Sequence, residues 1–217
     1  MAELKDIAIY GAGGFGCEIA CLINRINENE PTWKLVGFFD DGVEKGEMVS
    51  HFGPVLGGMP ELNVWQSKIN VVVAIGIPST IKKVVEKIDN VNVEFPNIIA
   101  PNVTFLEKES VLMGKGNLIC SNCLISCDVK IGDFNIFNGF VPVGHDVEIG
   151  NYNVIMPSVN ISGAVKIGDC NFFGVQSVVL QRLKIGNDTR IGANSVIIRN
   201  TKDGNLYMGN PAMKVKF

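Results

Sequence analysis

The sequence predicts two structural classes in series: an α/β domain over about residues 1–95, then an all-β parallel solenoid over 96–217. Three observations predict this. A glycine-rich turn, GAGGFG (Gly11 to Gly16), stands between an apolar strand and a helix. Beyond FPNIIAP the helical period stops, and every sixth residue from Ile119 to Ile197 is large and apolar. The triplets IGD, IGN, IGD and IGN begin at Ile131, Ile149, Ile167 and Ile185, a spacing of 18 residues.

In the first part, DIAIYG reads as a short buried strand and GAGGFGCEIACLINRI as a turn opening a helix. WKLVGFFDD is a second strand, ending in two acids. NVVVAIG is a third, PSTIKKVVEKID a helix with proline near its start, and VNVEF a last strand. Alternation of this kind builds a small, Rossmann-like parallel βαβ sheet with helices packed on it. SHFGPVLGG, with His51, reads as a loop.

In the second part, eighteen residues are three hexads, so one coil has three short sides. Residues two before each large apolar one, such as Val147, Asn153, Val159 and Ser177, are mostly compact. The pattern builds a triangular prism with aliphatic side chains stacked inside and parallel strands ~4.8 Å apart. Four to five coils fit between about 100 and 200, with glycine expected at a corner whose backbone angles it tolerates.

Composition narrows the function. A net charge of −3 with mixed acids and bases leaves no basic nucleic-acid footprint. No apolar run reaches the ~18 residues of a membrane span, and MAELKDIAIYG lacks the features of a secretory signal, so the expected location is cytoplasmic. Six cysteines there are expected to be reduced. Cys120, Cys123 and Cys127 form CxxCxxxC without a nearby fourth ligand, so they read as small semi-apolar side chains and no metal is expected.

One pair breaks the repeat: His145, the only histidine of the second part, is followed by Asp146. Adjacent side chains on a strand point to opposite faces, so the two meet only where the backbone turns. A carboxylate bonded to an imidazole fixes its tautomer and favours its charged form. Acyl transfer from a thioester needs a base for the nucleophile's proton and a donor for the oxyanion.

Hexapeptide repeats with YGAGGFG, FFDD, VAIG, GHDVEIG and a closing GNPA resemble the left-handed β-helix sugar acetyltransferases of the sialic-acid and bacillosamine type. The resemblance implies acetyl-CoA as co-substrate, a nucleotide-activated amino sugar as acceptor, and a homotrimer. It implies His145 as general base, Asp146 raising its basicity, Asn138 orienting it, and the Gly163 N–H as oxyanion donor. Asn153, Gly163, Val175 and Ala193 are the implied coenzyme A positions, with Gly209 to Lys214 near its nucleotide end. Gly13, Gly14, Phe15, Asp40, Asp41 and Gly76 are implied for the acceptor. Relatives commonly carry histidine at the positions of Phe15 and Asn153. Rival readings are an O-acetyltransferase for sialic acid or serine, a silent scaffold, and a dinucleotide sensor, since GxGxxG alone also suggests NAD.

Overall fold

A computed structural model of the protein describes residues 4–215; Met1 to Glu3 of the N-terminal stretch lie outside the described residues. The first part consists of β1 (Lys5–Tyr10), α1 (Gly14–Asn29), β2 (Trp33–Phe39), β3 (Met48–Val49), β4 (Gly53–Gly57), α2 (Met59–Asn63), β5 (Ile69–Val73), α3 (Pro78–Lys87) and β6 (Val93–Glu94). The sheet order is β3-β4-β2-β1-β5-β6, parallel except for the β3–β4 hairpin. Strands β1, β2 and β5 are almost continuous apolar runs, as strands covered on both faces must be. Helix α1 buries Gly16, Ile19, Ala20, Leu22 and Ile23, an apolar stripe at helical spacing, against them. Helix α3 starts on Pro78, whose missing N–H costs nothing in a first turn, and buries Ile81 and Val84.

From Ile98 the chain winds into a three-sided parallel prism. The first face stacks strands from Ile98–Ile99 to Leu206–Met208 and is closed by antiparallel Met213–Val215. The second face runs from Thr104–Phe105 to Val196–Ile197, the third from Leu112–Met113 to Lys184–Ile185. That makes five complete coils, two sides of a sixth and one further first-face strand, Leu206–Met208. Ile125, Phe137, Val143, Ile155 and Phe173, all 0% exposed, lie in the hexad register that fills the interior.

The faces differ in what points outward. The third face presents Leu112, Lys130, Glu148, Lys166 and Lys184, with Glu148 bridging Lys130 and Lys166 at 3.8 and 3.2 Å. The first presents Leu118, Ile136 and Val154, all buried in one cluster with the N-terminal sheet and helices. The α/β domain therefore covers the lower part of this face. The second presents Leu124, Pro142, Asn160, Val178 and Val196, with no formal charge.

Three sequence expectations change. SHFGPVLGG is not all loop; Gly53–Gly57 pairs with β2 and carries the β3 hairpin. The first coil is irregular, because a 3-10 turn at Lys108–Ser110 puts Met113 eight rather than six positions after Phe105. The corners do not depend on glycine: Asn122, Asp128, Phe134 and every sixth residue on to Asn194 has φ between 52 and 62°. The recurrent Gly132, Gly150, Gly168 and Gly186 are needed for close approach instead. A Cβ on Gly132 would fall 2.5 Å from Asn151 Oδ1 and 2.6 Å from the Gly150 carbonyl oxygen. The D or N that follows each glycine accepts an N–H from the coil before: Asn151 Oδ1 from Asp133 (2.8 Å), Asp169 Oδ1 from Asn151 (2.7 Å), Asn187 Oδ1 from Asp169 (2.8 Å).

Candidate active site

His145 and Asp146 sit at the corner between the second and third faces, after the strand Pro142–Val143. Asp146 has φ 57°, and this left-handed residue supplies the turn that brings its carboxylate back: Oδ2 lies 2.7 Å from His145 Nδ1. Both side chains are more than half exposed. With Nδ1–H donated to the carboxylate, Nε2 carries the free lone pair. Nε2 faces the next coil, where a Cβ on Gly163 would come within 2.6 Å of it. Glycine at 163 thus leaves room for the imidazole.

Asn138 lies at the other edge of the second face, in the corner after Ile136–Phe137, and does not hydrogen-bond His145 within the chain. One side of the prism separates the two, so the expected orienting role of Asn138 is not carried by a contact within the chain. Val175 (38% exposed) and Ala193 stack one coil apart on the Asn138 edge, where the Asn194 N–H bonds the Val175 carbonyl at 2.9 Å. Asn153 is a clearer correction. It is 0% exposed and belongs to an internal ladder in which its amide N–H and Nδ2 donate to Asn135 Oδ1 (3.0 and 2.9 Å). Its own Oδ1 accepts the Asn171 N–H at 2.9 Å. A side chain sealed inside the prism cannot touch coenzyme A outside it.

The glycine turn opens where the sheet reverses direction of growth. β2 lies on one side of β1 and β5 on the other, so the C-terminal ends of β1 and β5 flank a crevice, the usual ligand position in such sheets. Gly13, the N-cap of α1, Gly14 and Gly76 border open space: a Cβ on any of them would meet nothing within 4 Å. Gly11 is required for another reason, a φ of 119° with the Ala74 carbonyl oxygen 2.7 Å from any Cβ. Asp40 and Asp41 brace this turn. Asp40 accepts the Ala12 and Gly42 N–H groups (both 2.8 Å); Asp41 accepts the Met59 N–H (2.7 Å) and the Tyr10 hydroxyl (2.6 Å). Burial first, then the Asp41 carboxylate, pushes the Tyr10 hydroxyl far above its ordinary range, so it stays a donor.

Between α1 and the first face lies a cavity of about 210 Å³ lined by Phe15, Glu18, Gly76, Asn138, Val154 and Phe172. Sequence reasoning found Phe15, Gly76 and Asn138 but missed the wall made by Val154 and Phe172. The missed signal was available: apolar residues at outward positions of the first face, where the third face has lysines. Among the described residues no group of three His, Cys, Asp or Glu side chains is placed to hold a metal ion. All six cysteines are free thiols, and burial pushes Cys120 up to about 12, with Cys123 and Glu18 adding to it.

Comparison with known proteins gives this geometry relatives. Residues 6–88 match the PglD N-terminal domain model. Over 98% of its length the chain superposes on the whole acetyltransferase domain of PglB from Neisseria gonorrhoeae, bound to acetyl coenzyme A, at 25% identity and TM-score 0.88. The chain is similar to hexapeptide-repeat sugar acetyltransferases over nearly its whole length. A perosamine N-acetyltransferase variant from Caulobacter crescentus, complexed with CoA and GDP-perosamine, matches the chain at 26% identity and TM-score 0.86, covering 99% of both. WeeI from Acinetobacter baumannii matches at 27% and 0.86, covering 97% of the chain and all of WeeI. No curated protein sequence matches. The fold expected from the sequence, a βαβ domain leading into a left-handed parallel β-helix, is the acetyltransferase fold observed.

Proposed function

We propose that the protein moves acetyl from acetyl-CoA to the amine of a nucleotide-linked sugar, with His145 as general base. The observation that carries this reading is the alignment of Asp146 Oδ2, the imidazole and Gly163 along one corner of the helix. The amine attacks the thioester carbonyl carbon and gives a proton to His145 Nε2. The oxyanion accepts the Gly163 N–H. Collapse expels the coenzyme A thiolate, which takes the proton from the imidazolium, leaving an amide and free coenzyme A. Asp146 holds the ring and its tautomer throughout. Similarity to proteins complexed with acetyl-CoA and with GDP-perosamine supports both substrates. The free thiols support a reducing, cytoplasmic setting.

The uncharged second face supports a homotrimer with that face toward the threefold axis. Cyclic symmetry then sets the His145 edge of one copy beside the Asn138 edge of the next, at the same coil. Asn138 regains its expected part across the interface, and Gly163, Val175 and Ala193 line one groove for coenzyme A. The C-terminal Gly209 to Lys214 segment lies toward its nucleotide end. The acceptor enters from the Gly13, Gly14, Phe15 and Gly76 side, with Asp40 and Asp41 holding the turn from behind.

A mass-spectrometric screen tests the reading. Wild type and His145→Ala are incubated with acetyl-CoA and UDP-, dTDP- and GDP-linked amino sugars, free sialic acid and serine. We expect an acetylated nucleotide sugar from wild type and a rate lower by ~10²–10⁴ in the variant. Equal turnover by both proteins would remove His145 from the mechanism. Acetylation of sialic acid or serine alone would replace the acceptor.

A further inference from the structure

The acceptor cavity is one end of a longer trough. A second cavity of about 300 Å³ shares Gly76 and Phe172 with it and adds Ser79, Asp188 and Arg190. A third, about 870 Å³, shares Phe172, Asp188 and Arg190 and runs on to Lys214. At the other end, Glu18 and Asn138 also line a neighbouring cavity of about 290 Å³ farther along α1, so these two side chains form a waist between openings. The trough is therefore polarised: a carboxylate beside Asn138, an apolar floor of Val154 and Phe172, then a guanidinium. The Arg190 Cζ lies 5.9 Å from the Phe172 ring centroid, which tilts the cation along the floor. It sits across from the first turn of α3, where the positive end of the helix dipole also favours anions.

We propose that Glu18 and Arg190 fix the direction in which the acceptor lies: Glu18 takes the sugar ammonium at the Asn138 end and Arg190 takes the diphosphate. The assignment rests on the acetyl-transfer reading for the identity of the cationic group. A sugar amine is largely protonated near neutral pH. Glu18 pairs with the ammonium, which releases one proton to solvent before the free amine attacks and yields its second proton to His145. A hydroxyl acceptor gains nothing from Glu18, and an acceptor without phosphates gains nothing from Arg190. The trough thus selects a nucleoside-diphosphate-linked amino sugar over sialic acid and serine. Glu18 and Arg190 are specificity-determining residues in this assignment, and Asp188, the carboxylate lining the same cavity, opposes the anion.

Two measurements test it. Calorimetry with GDP, UDP and dTDP alone needs no turnover. Wild type should bind at least one, Arg190→Met should bind it ten- to a hundredfold more weakly (loss of a charge-assisted contact), and Asp188→Asn more tightly. All three should bind acetyl-CoA alike. In steady-state assays Glu18→Gln should raise the acceptor KM about tenfold with little change in the KM for acetyl-CoA, and thermal melts should match wild type. No nucleotide binding by wild type, equal affinity in Arg190→Met, or an unchanged acceptor KM in Glu18→Gln overturns the assignment while leaving acetyl transfer intact. Failure to find any acetylated product would overturn the transfer reading and its Glu18 arm, with the Arg190 result standing by itself.

Discussion

His145 works, in the reading above, because two neighbours have backbone properties that its own side chain does not. Asp146 is left-handed, so a carboxylate adjacent in sequence reaches the imidazole. Gly163 has no Cβ, so the ring lies against the next coil. Gly163→Ala is therefore an informative substitution. The added methyl would sit 2.6 Å from Nε2 and 2.8 Å from Cε1, atoms at the far end of an exposed, movable side chain. The ring should swing away while the coil stays in place. We expect kcat/KM to fall ~10²-fold with little change in melting temperature; full activity would show that Nε2 has no need of that position. Asn153→Ala should do the reverse. It removes one of the two hydrogen bonds to Asn135 Oδ1, the backbone N–H of residue 153 keeping the other, and leaves the Asn171 N–H without its acceptor, deep in the prism. Each unmet buried group costs ~1–3 kcal/mol. Denaturant titration should show that loss, and acetyl-CoA affinity of the folded variant should match wild type.

At the scale of the coil, close stacking overrides local preference. A left-handed residue with a side chain is disfavoured by roughly 1–2 kcal/mol, yet Phe134, Phe140, Tyr152 and Arg182 all adopt that conformation at their corners. Neighbouring coils lock each corner through bonds such as Asp146 N–H to the Cys127 carbonyl at 3.1 Å. Glycine is kept for the positions where coils touch. Gly132→Ala would drive a methyl into Gly150 and Asn151, which are backbone and a ladder amide rather than a free chain end. Overpacking of this kind costs typically ~1–3 kcal/mol, and urea unfolding should show it. The hexad from Ile119 to Ile197 was legible because one interior position repeats without insertion. The first coil was not, since its 3-10 turn breaks the count, and the β3–β4 hairpin was not, since two-residue strands carry no period. At the site, His145 and Asp146 stood out as titratable residues in a repeat that needs none. Asn153 was misplaced although its register was readable: it lies two before Ile155, with Asn117, Asn135 and Asn171 at the same interior position of other coils. A repeat's register decides which way a side chain points before any resemblance assigns it a role.

For the whole molecule, the three faces divide the work. One is covered over its lower part by the α/β domain, one is dressed with lysines and Glu148 for solvent, and one has neither cover nor charge. The trimer proposed above, about the uncharged second face, would make every site a joint product: His145, Asp146 and Gly163 from one copy, Asn138 and the acceptor trough from the next. Complementation follows from that geometry. His145→Ala trimers hold no base, and Asn138→Ala trimers lack the amide at every site, so each preparation alone should be nearly inactive. When the two are unfolded together and refolded, a mixed trimer has an interface where the Asn138→Ala copy supplies an intact His145 edge and the His145→Ala copy supplies an intact Asn138 edge. That interface is a wild-type site. Activity should rise well above the sum of the separate preparations, to roughly a quarter of wild type for random mixing, as one in four ordered interfaces then pairs two intact edges. Leu124→Lys or Val178→Lys on the same face should dissociate the trimer in light scattering and abolish the gain, whereas Lys166→Ala on the solvent face should change neither. A mixture no more active than its parts would place both edges of the site within a single copy.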